Sequence, residues 1–174
     1  MTHTFADALP VILREEGGFV NDALDPGGMT NLGVTEASWS AWIGHAANEA
    51  IMRGLTPDQV SPFYRVDYWD KVAGDQLPDG VNLAVFDFAV NHGPHGAAQT
   101  LQGIVGASAD GMIGPGTLSA VAGYVGEYGA VALVKAYTAA RTRYYQSLPT
   151  FARFGRGWIN RDGYIEGVAL SWVG

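Results

Sequence analysis

A mainly α domain with one small β or loop excursion near its N-terminus is the fold class this 174-residue sequence predicts. Three observations predict it. Apolar residues recur at helical spacing through most of the chain, and most of these runs open or close at a capping residue, a glycine or a proline. Only between Phe19 and Val34 does the composition turn to Asn, Asp, Pro and Gly. With 48% apolar residues there is ample material for a packed core, which excludes disorder for most of the chain.

The first helix is expected over 4–16, from Phe5, Leu9, Ile12 and Leu13, with Thr4 as its cap. Pro10 lies inside that pattern, so a kink or a late start is expected. Gly17-Gly18 ends it, and Phe19-Val20 is expected to pair with a 30–34 strand around the Asp25-Pro26-Gly27-Gly28 turn. Helix returns after Thr35 through Trp39, Trp42 and Ile43. Thr56-Pro57-Asp58-Gln59 reads as a capping box with proline at the first helical position. Val81 to Val90 reads as a buried helix, Pro94 opens another, and Pro115 a third. The longest helical pattern runs over 127–148 and stops at Pro149, leaving a tail over 158–173. Internal repeats and low-complexity linkers are absent from the sequence.

Ten Lys and Arg against 17 Asp and Glu give a net charge of −7, the wrong sign for a protein that neutralises phosphates. Lys and Arg never occur side by side, and nucleic acid is not an expected partner. With no cysteine there is no disulfide framework, thiolate nucleophile or cysteine zinc site. The first residues lack a basic and then apolar leader pattern, and no apolar stretch approaches the roughly 20 residues of a membrane span. No stable membrane insertion is expected.

Chemistry concentrates in Glu15-Glu16-Gly17-Gly18-Phe19 and in Asp25-Pro26-Gly27-Gly28-Met29-Thr30. Glu16 is placed at a helix C-terminus, where the macrodipole disfavours negative charge, and burial beside Phe19 disfavours it further. Both effects favour a protonated carboxylic acid, the group that donates to a glycosidic leaving oxygen. Asp25 sits among backbone N–H groups of a glycine-rich turn that favour its ionised form. Two carboxylates held in opposite protonation states divide acid and base roles, and Thr30 is spaced to help hold an attacking water. The plainer alternative has Glu16 merely ending a helix and Asp25 making an Asx turn.

At this point the sequence resembles a known family. Glu16-Gly17-Gly18-Phe19 with Asp25-Pro26-Gly27-Gly28, Thr30 and Gly33-Val34-Thr35 is similar to the opening motif of glycoside hydrolase family 108, the phage and bacterial N-acetylmuramidases. The likeness continues through Phe63-Tyr64-Arg65, Tyr68-Trp69-Asp70-Lys71, Phe86-Asp87-Phe88-Ala89-Val90-Asn91, Leu101-Gln102, Asp110-Gly111 with Ile113-Gly114-Pro115 and Thr117, and Phe154-Gly155 with Gly157-Trp158. It implies a lysozyme-like helical fold, with residues 1–93 as catalytic region. Residues 94–174 form a helical region resembling a peptidoglycan-binding module, packed on the catalytic part. It further implies an endolysin-type lysozyme that hydrolyses the β-1,4 bond between N-acetylmuramic acid and N-acetylglucosamine. Glu16 is then the general acid, Asp25, as base, stabiliser or turn-former, and Thr30 complete the catalytic set, and no metal or organic cofactor is needed. The expected partner is the peptidoglycan glycan strand, the expected state a monomer. The expected place of action is the wall or periplasm, reached from the cytoplasm through a holin-type lesion or from a virion. Rival readings are a non-catalytic wall-binding or virion structural protein of the same fold, a lytic transglycosylase with the same acid, and a zinc amidase.

Further candidates carry two readings each. Tyr64, Tyr68 and Trp69 are helically spaced to line a sugar groove, although core packing explains such rings as well. Asp87 and Asn91, one helical turn apart on an apolar helix, need either partners or a cleft. With the resemblance, Asn91 is assigned to the substrate groove, and Asp87 either to the groove or to buried hydrogen bonding. His92 and His95 are separated by Gly93-Pro94 and read as surface-loop histidines, not as a zinc pair.

Overall fold

The computed structural model describes residues 2–21 and 28–174. It is mainly α with a small three-stranded antiparallel sheet near the N-terminus, as the sequence predicts. Its contacts cluster into two compact units, Leu9–Val66 and Met1–Ala8 with Asp67–Gly174. The 1–93 and 94–174 division expected above follows the motifs of the resemblance, whereas these units divide the chain after Val66.

Helix α1 (Phe5–Glu16) starts after Thr4, where the Asp7 carboxylate reaches back to accept from the Thr4 N–H and hydroxyl at 2.8 and 2.9 Å. Pro10 does not delay that start. In the smaller unit, β1 (Val20–Asn21) pairs with β2 (Met29–Asn31), Val20 opposite Thr30. The expected 30–34 strand is in fact two strands. β2 turns at Leu32-Gly33 into β3 (Val34–Thr35), with φ of 49° and 73° at the two turn residues. Positive φ at both central positions matches the right-handed twist of a two-residue hairpin. Thr35 caps α2 (Glu36–Ile43), and Asn48 caps the short α3 (Glu49–Arg53). The Thr56–Gln59 capping box opens α4 (Pro57–Tyr64) as expected. Asn31 Nδ2 donates to the Met52 carbonyl at 2.7 Å and so ties β2 to α3. Around Phe63 gather Trp39 at 6.4 Å, Trp42 at 5.7 Å and Tyr64 at 5.7 Å, all edge-on. Burial of Phe63 contributes about 1.5–3 kcal/mol.

A π turn (Arg65–Trp69) and two 3-10 turns (Asp70–Val72, Gly74–Gln76) lead into the helices of the larger unit. Trp69 is fully buried, edge-on to Phe5 and Phe86, and its indole N–H donates to Asp75 Oδ1 at 3.0 Å. Helix α5 (Val81–His92) is buried at every residue from Val81 to Ala89, in keeping with its all-round apolar sequence. It packs with α6 (Pro94–Val105), α8 (Ala130–Ser147) and α9 (Phe151–Trp172), while α7 (Pro115–Tyr128) packs on α6 and α8. The Tyr137 hydroxyl reaches from α8 to the Ala97 carbonyl on α6 at 2.9 Å. The chain ends meet within this unit, His3 stacking on Trp172 at 4.3 Å.

Two expectations are corrected here. The 127–148 helix begins only at Ala130, because Gly129 adopts φ 85° and ψ 155° and breaks it from α7. The tail over 158–173 belongs to the longest helix, the 22 residues of α9. Gly155, Gly157, Gly163 and Gly167 each weaken a helix by about 1 kcal/mol and obscure the pattern. A buried stripe of Gly155, Asp162, Ile165 and Ala169 fixes it by packing instead.

Candidate active site

Glu16 closes α1 and is half-buried. Its neighbour is the hairpin turn between β2 and β3. A Cβ placed on Gly33 would fall 2.6 Å from Glu16 Oε2 and 2.7 Å from Glu16 Cγ, and would also overlap the Tyr64 hydroxyl. Only glycine suits both this space and the φ of 73°. The Tyr64 hydroxyl donates to the Leu32 carbonyl at 2.8 Å and anchors the turn. The helix end, the turn and the tyrosine therefore form one seat for the Glu16 carboxyl. The Phe19 ring, three residues after Glu16, lies 4.0 Å from the guanidinium of Arg53 at the end of α3, which also pairs with Glu49 at 2.7 Å.

Thr30 is the middle residue of the central strand, opposite both Val20 and Thr35, and is half-buried. Asp25 lies outside the described residues. Tyr64 is only 1% exposed, so its ring packs in the core and offers no face to a sugar; its hydroxyl positions the turn. The remaining three candidates belong to the larger unit. Tyr68 is half-buried in the π turn.

Asp87 is a core residue, not a groove residue. It is fully buried on α5, where Arg141 Nη2 donates to Oδ2 at 2.6 Å, and Arg161 Nε and Nη2 donate to Oδ1 at 2.9 and 2.6 Å. With both oxygens engaged by guanidinium groups, it takes the buried-hydrogen-bond alternative. Asn91 is exposed one turn later, and its amide donates back to the Asp87 carbonyl at 2.9 Å. His92 stacks on Phe88 at 5.0 Å and meets Tyr144 at a tilt at 4.1 Å, and burial lowers its pKa. Among the described residues, no group of three or more His, Asp or Glu is placed to hold a metal.

A second polar centre lies in the larger unit. Buried Gln102 donates to Asp110 Oδ1 at 2.7 Å and to the Met112 carbonyl and Thr117 hydroxyl at 3.0 Å, and accepts from the Gly111 N–H at 2.9 Å. The Met112 N–H and the Gln102 amide hold Asp110 below its usual carboxylate range. A shallow pocket of about 420 Å³ opens beside this turn, lined in part by Ser108, Asp110, Met112 and Pro115.

Sequence reasoning singled out Glu16 and Thr30 but missed Gly33 and Tyr64 as the seat of the acid. Gly33 stood in the motif with no function beyond its turn. Its 17-residue separation from Glu16 hides a contact that only the strand pairing creates.

Comparison with known proteins bears on the family of the chain. The sequence model described as Glycosyl hydrolase 108 matches residues 9–93, and one described as Predicted Peptidoglycan domain matches residues 96–163. No protein with a curated description matches. Among solved structures, SagA of Brucella abortus is 41% identical, with a TM-score of 0.85 over 97% of this chain and 95% of that one. With the Glu16 end of α1 and the neighbouring hairpin inside the first matched segment, and a solved relative alike over almost the whole chain, this protein belongs to glycosyl hydrolase family 108.

Proposed function

We propose that this protein hydrolyses peptidoglycan at the β-1,4 bond between N-acetylmuramic acid and N-acetylglucosamine, with Glu16 as general acid. The observation that carries the reading is the seat of Glu16. A half-buried carboxyl at a helix C-terminus is pressed against a glycine turn, inside the segment that matches the hydrolase family. As the bond from muramic C1 to the bridging oxygen breaks, Glu16 passes its proton to that oxygen, and N-acetylglucosamine leaves with a free 4-hydroxyl. A water oxygen then bonds to C1 and gives up one proton to a carboxylate, either Asp25 or the now ionised Glu16, leaving a reducing muramic end and, once Glu16 is reprotonated, the acid ready again. Asp25 and Thr30 complete the set as the second carboxylate and the hydroxyl that help hold the water. The wall is the place of action, and the match over residues 96–163 supports peptidoglycan as the polymer held.

Mass spectrometry of soluble products from purified peptidoglycan tests this, with wild type and Glu16→Gln side by side. Reducing muramic ends from wild type are expected, with a loss of about 10²–10⁴-fold in the variant. Anhydro-muramic ends would make the protein a lytic transglycosylase that keeps the acid. No glycan cleavage by wild type would leave a wall-binding protein of this fold.

A further inference from the structure

Charge is unevenly spread along the chain. Residues 128–161 hold six of the ten cations, namely Lys135, Arg141, Arg143, Arg153, Arg156 and Arg161, and not one of the 17 Asp and Glu residues. Arg141 and Arg161 are engaged by Asp87. Arg143, Arg153 and Arg156 are exposed, and among the described residues no carboxylate pairs with them. Beside Arg153, whose guanidinium lies 4.9 Å from its ring, Phe154 is 44% exposed on the flank of α9. From Phe154 a run of rings leads inward: Trp158 at 5.9 Å, then Tyr145 stacked on Trp158 at 5.1 Å, then Tyr144 at 5.7 Å. The first of these rings is not needed by the core, since the buried stripe of α9 is Gly155, Asp162, Ile165 and Ala169.

We propose that the first half of α9, through Arg153, Phe154, Arg156 and Trp158, is a binding site for the peptidoglycan strand, separate from the residues that cleave it. The inference rests on the proposed function for the identity of its ligand. Peptidoglycan offers the two chemistries this surface matches. Its pyranose rings have C–H faces that pack on aromatic rings, and its stem peptides carry carboxylates that pair with guanidinium groups. A protein of net charge −7 is repelled by such a polyanion everywhere except along this cationic segment. A lipid surface fits less well. It calls for a broad apolar face, whereas the exposed residues of this half-helix, Ala152, Arg153, Phe154, Arg156, Gly157 and Asn160, present one large apolar side chain between two arginines.

The test is co-sedimentation of full-length Glu16→Gln protein with insoluble purified peptidoglycan, and separately with phosphatidylglycerol vesicles. It is repeated with Arg153→Glu/Arg156→Glu and with Phe154→Ala added. Peptidoglycan binding is expected to weaken about tenfold or more in the double charge reversal, and severalfold in Phe154→Ala. Arg153→Gln/Arg156→Gln, milder to the fold, is expected to fall between. Retained binding in folded variants overturns the site, as does binding to the vesicles but not to peptidoglycan. The two readings fail separately. Cleavage by wild type with unaffected binding removes this site alone, whereas binding lost in the variants without cleavage by wild type removes only the hydrolase.

Discussion

Gly33 and Glu16 make the sharpest residue-scale prediction. Alanine at Gly33 must adopt φ 73°, which costs an L-residue about 1–2 kcal/mol. Its Cβ would also fall on the Glu16 carboxyl and the Tyr64 hydroxyl. The carboxyl is the free end of a side chain and gives way more easily than the hairpin backbone, so the displacement goes largely into the acid. Gly33→Ala is therefore expected to slow reducing-end release by about ten- to a hundredfold, out of proportion to its effect on melting. Tyr64→Phe tests the opposite balance. It leaves the ring packed and removes one hydrogen bond to Leu32, so a loss of about 1 kcal/mol in urea unfolding is expected. Equal activity and stability in Gly33→Ala would show that the turn does not position the acid. Glu16 was readable from the sequence because its helix, its glycines and its motif are contiguous. Its seat was not, because Gly33 and Tyr64 reach it through strand pairing and side-chain packing.

Helices α5, α8 and α9 are joined by buried charge. Arg141, 1% exposed, bridges Asp87 and Asp162 at 2.6 and 2.9 Å, and Thr142 donates to Asp162 Oδ2 at 3.3 Å. Burial alone would lower the Arg141 pKa, but the two carboxylates hold it up, so it stays charged. Arg141→Met leaves Asp162 without its guanidinium and Asp87 with Arg161 alone, and is expected to cost about 3–5 kcal/mol, read in urea unfolding. Asp162 is the weaker partner. Burial pushes its pKa up to about 6, with Asp87 adding to the rise and Arg141 opposing it. The folded state thus holds this proton more tightly than the unfolded chain, whose Asp titrates near 3.9. The contribution of this group is fully present below about pH 4 and is lost as pH rises through about 6. Asp162→Asn removes that dependence, so its stability relative to wild type is expected to improve by about 1–2 kcal/mol from pH 4.5 to pH 7. A constant difference between the two proteins would refute it. Elements with local punctuation were legible: the Thr35 and Thr56 caps and the prolines at 94 and 115 all start helices. Helix α9 was not, because its glycines oppose helix locally and its buried Asp162 depends on an arginine 21 residues earlier. Asp87 was ambiguous for the same reason, since its partners lie on α8 and α9.

At the scale of the whole molecule the fold class was legible, because helical periodicity and one glycine-rich interruption both survive in a single sequence. The charge distribution was legible too, but only as a segment and not as a total. A net charge of −7 describes an acidic protein, whereas residues 128–161 are purely cationic. These two facts predict opposite salt effects over different ranges. At about 0.01 M ionic strength the Debye length is about 30 Å, so a polyanionic wall feels the whole acidic protein and repels it. At about 0.15 M it falls to about 8 Å, which screens that repulsion while leaving contact pairs of guanidinium and carboxylate largely intact. At about 1 M, with a length of about 3 Å, the contact pairs weaken as well. The rate of clearing of a peptidoglycan suspension is therefore expected to pass through a maximum at intermediate salt. In Arg153→Gln/Arg156→Gln the rise at low salt should persist and the fall at high salt should flatten, because that fall belongs to those two side chains. A rate that declines steadily from the lowest salt would mean that attraction dominates at long range. The acidic bulk of the molecule would then lie too far from the bound strand to repel it.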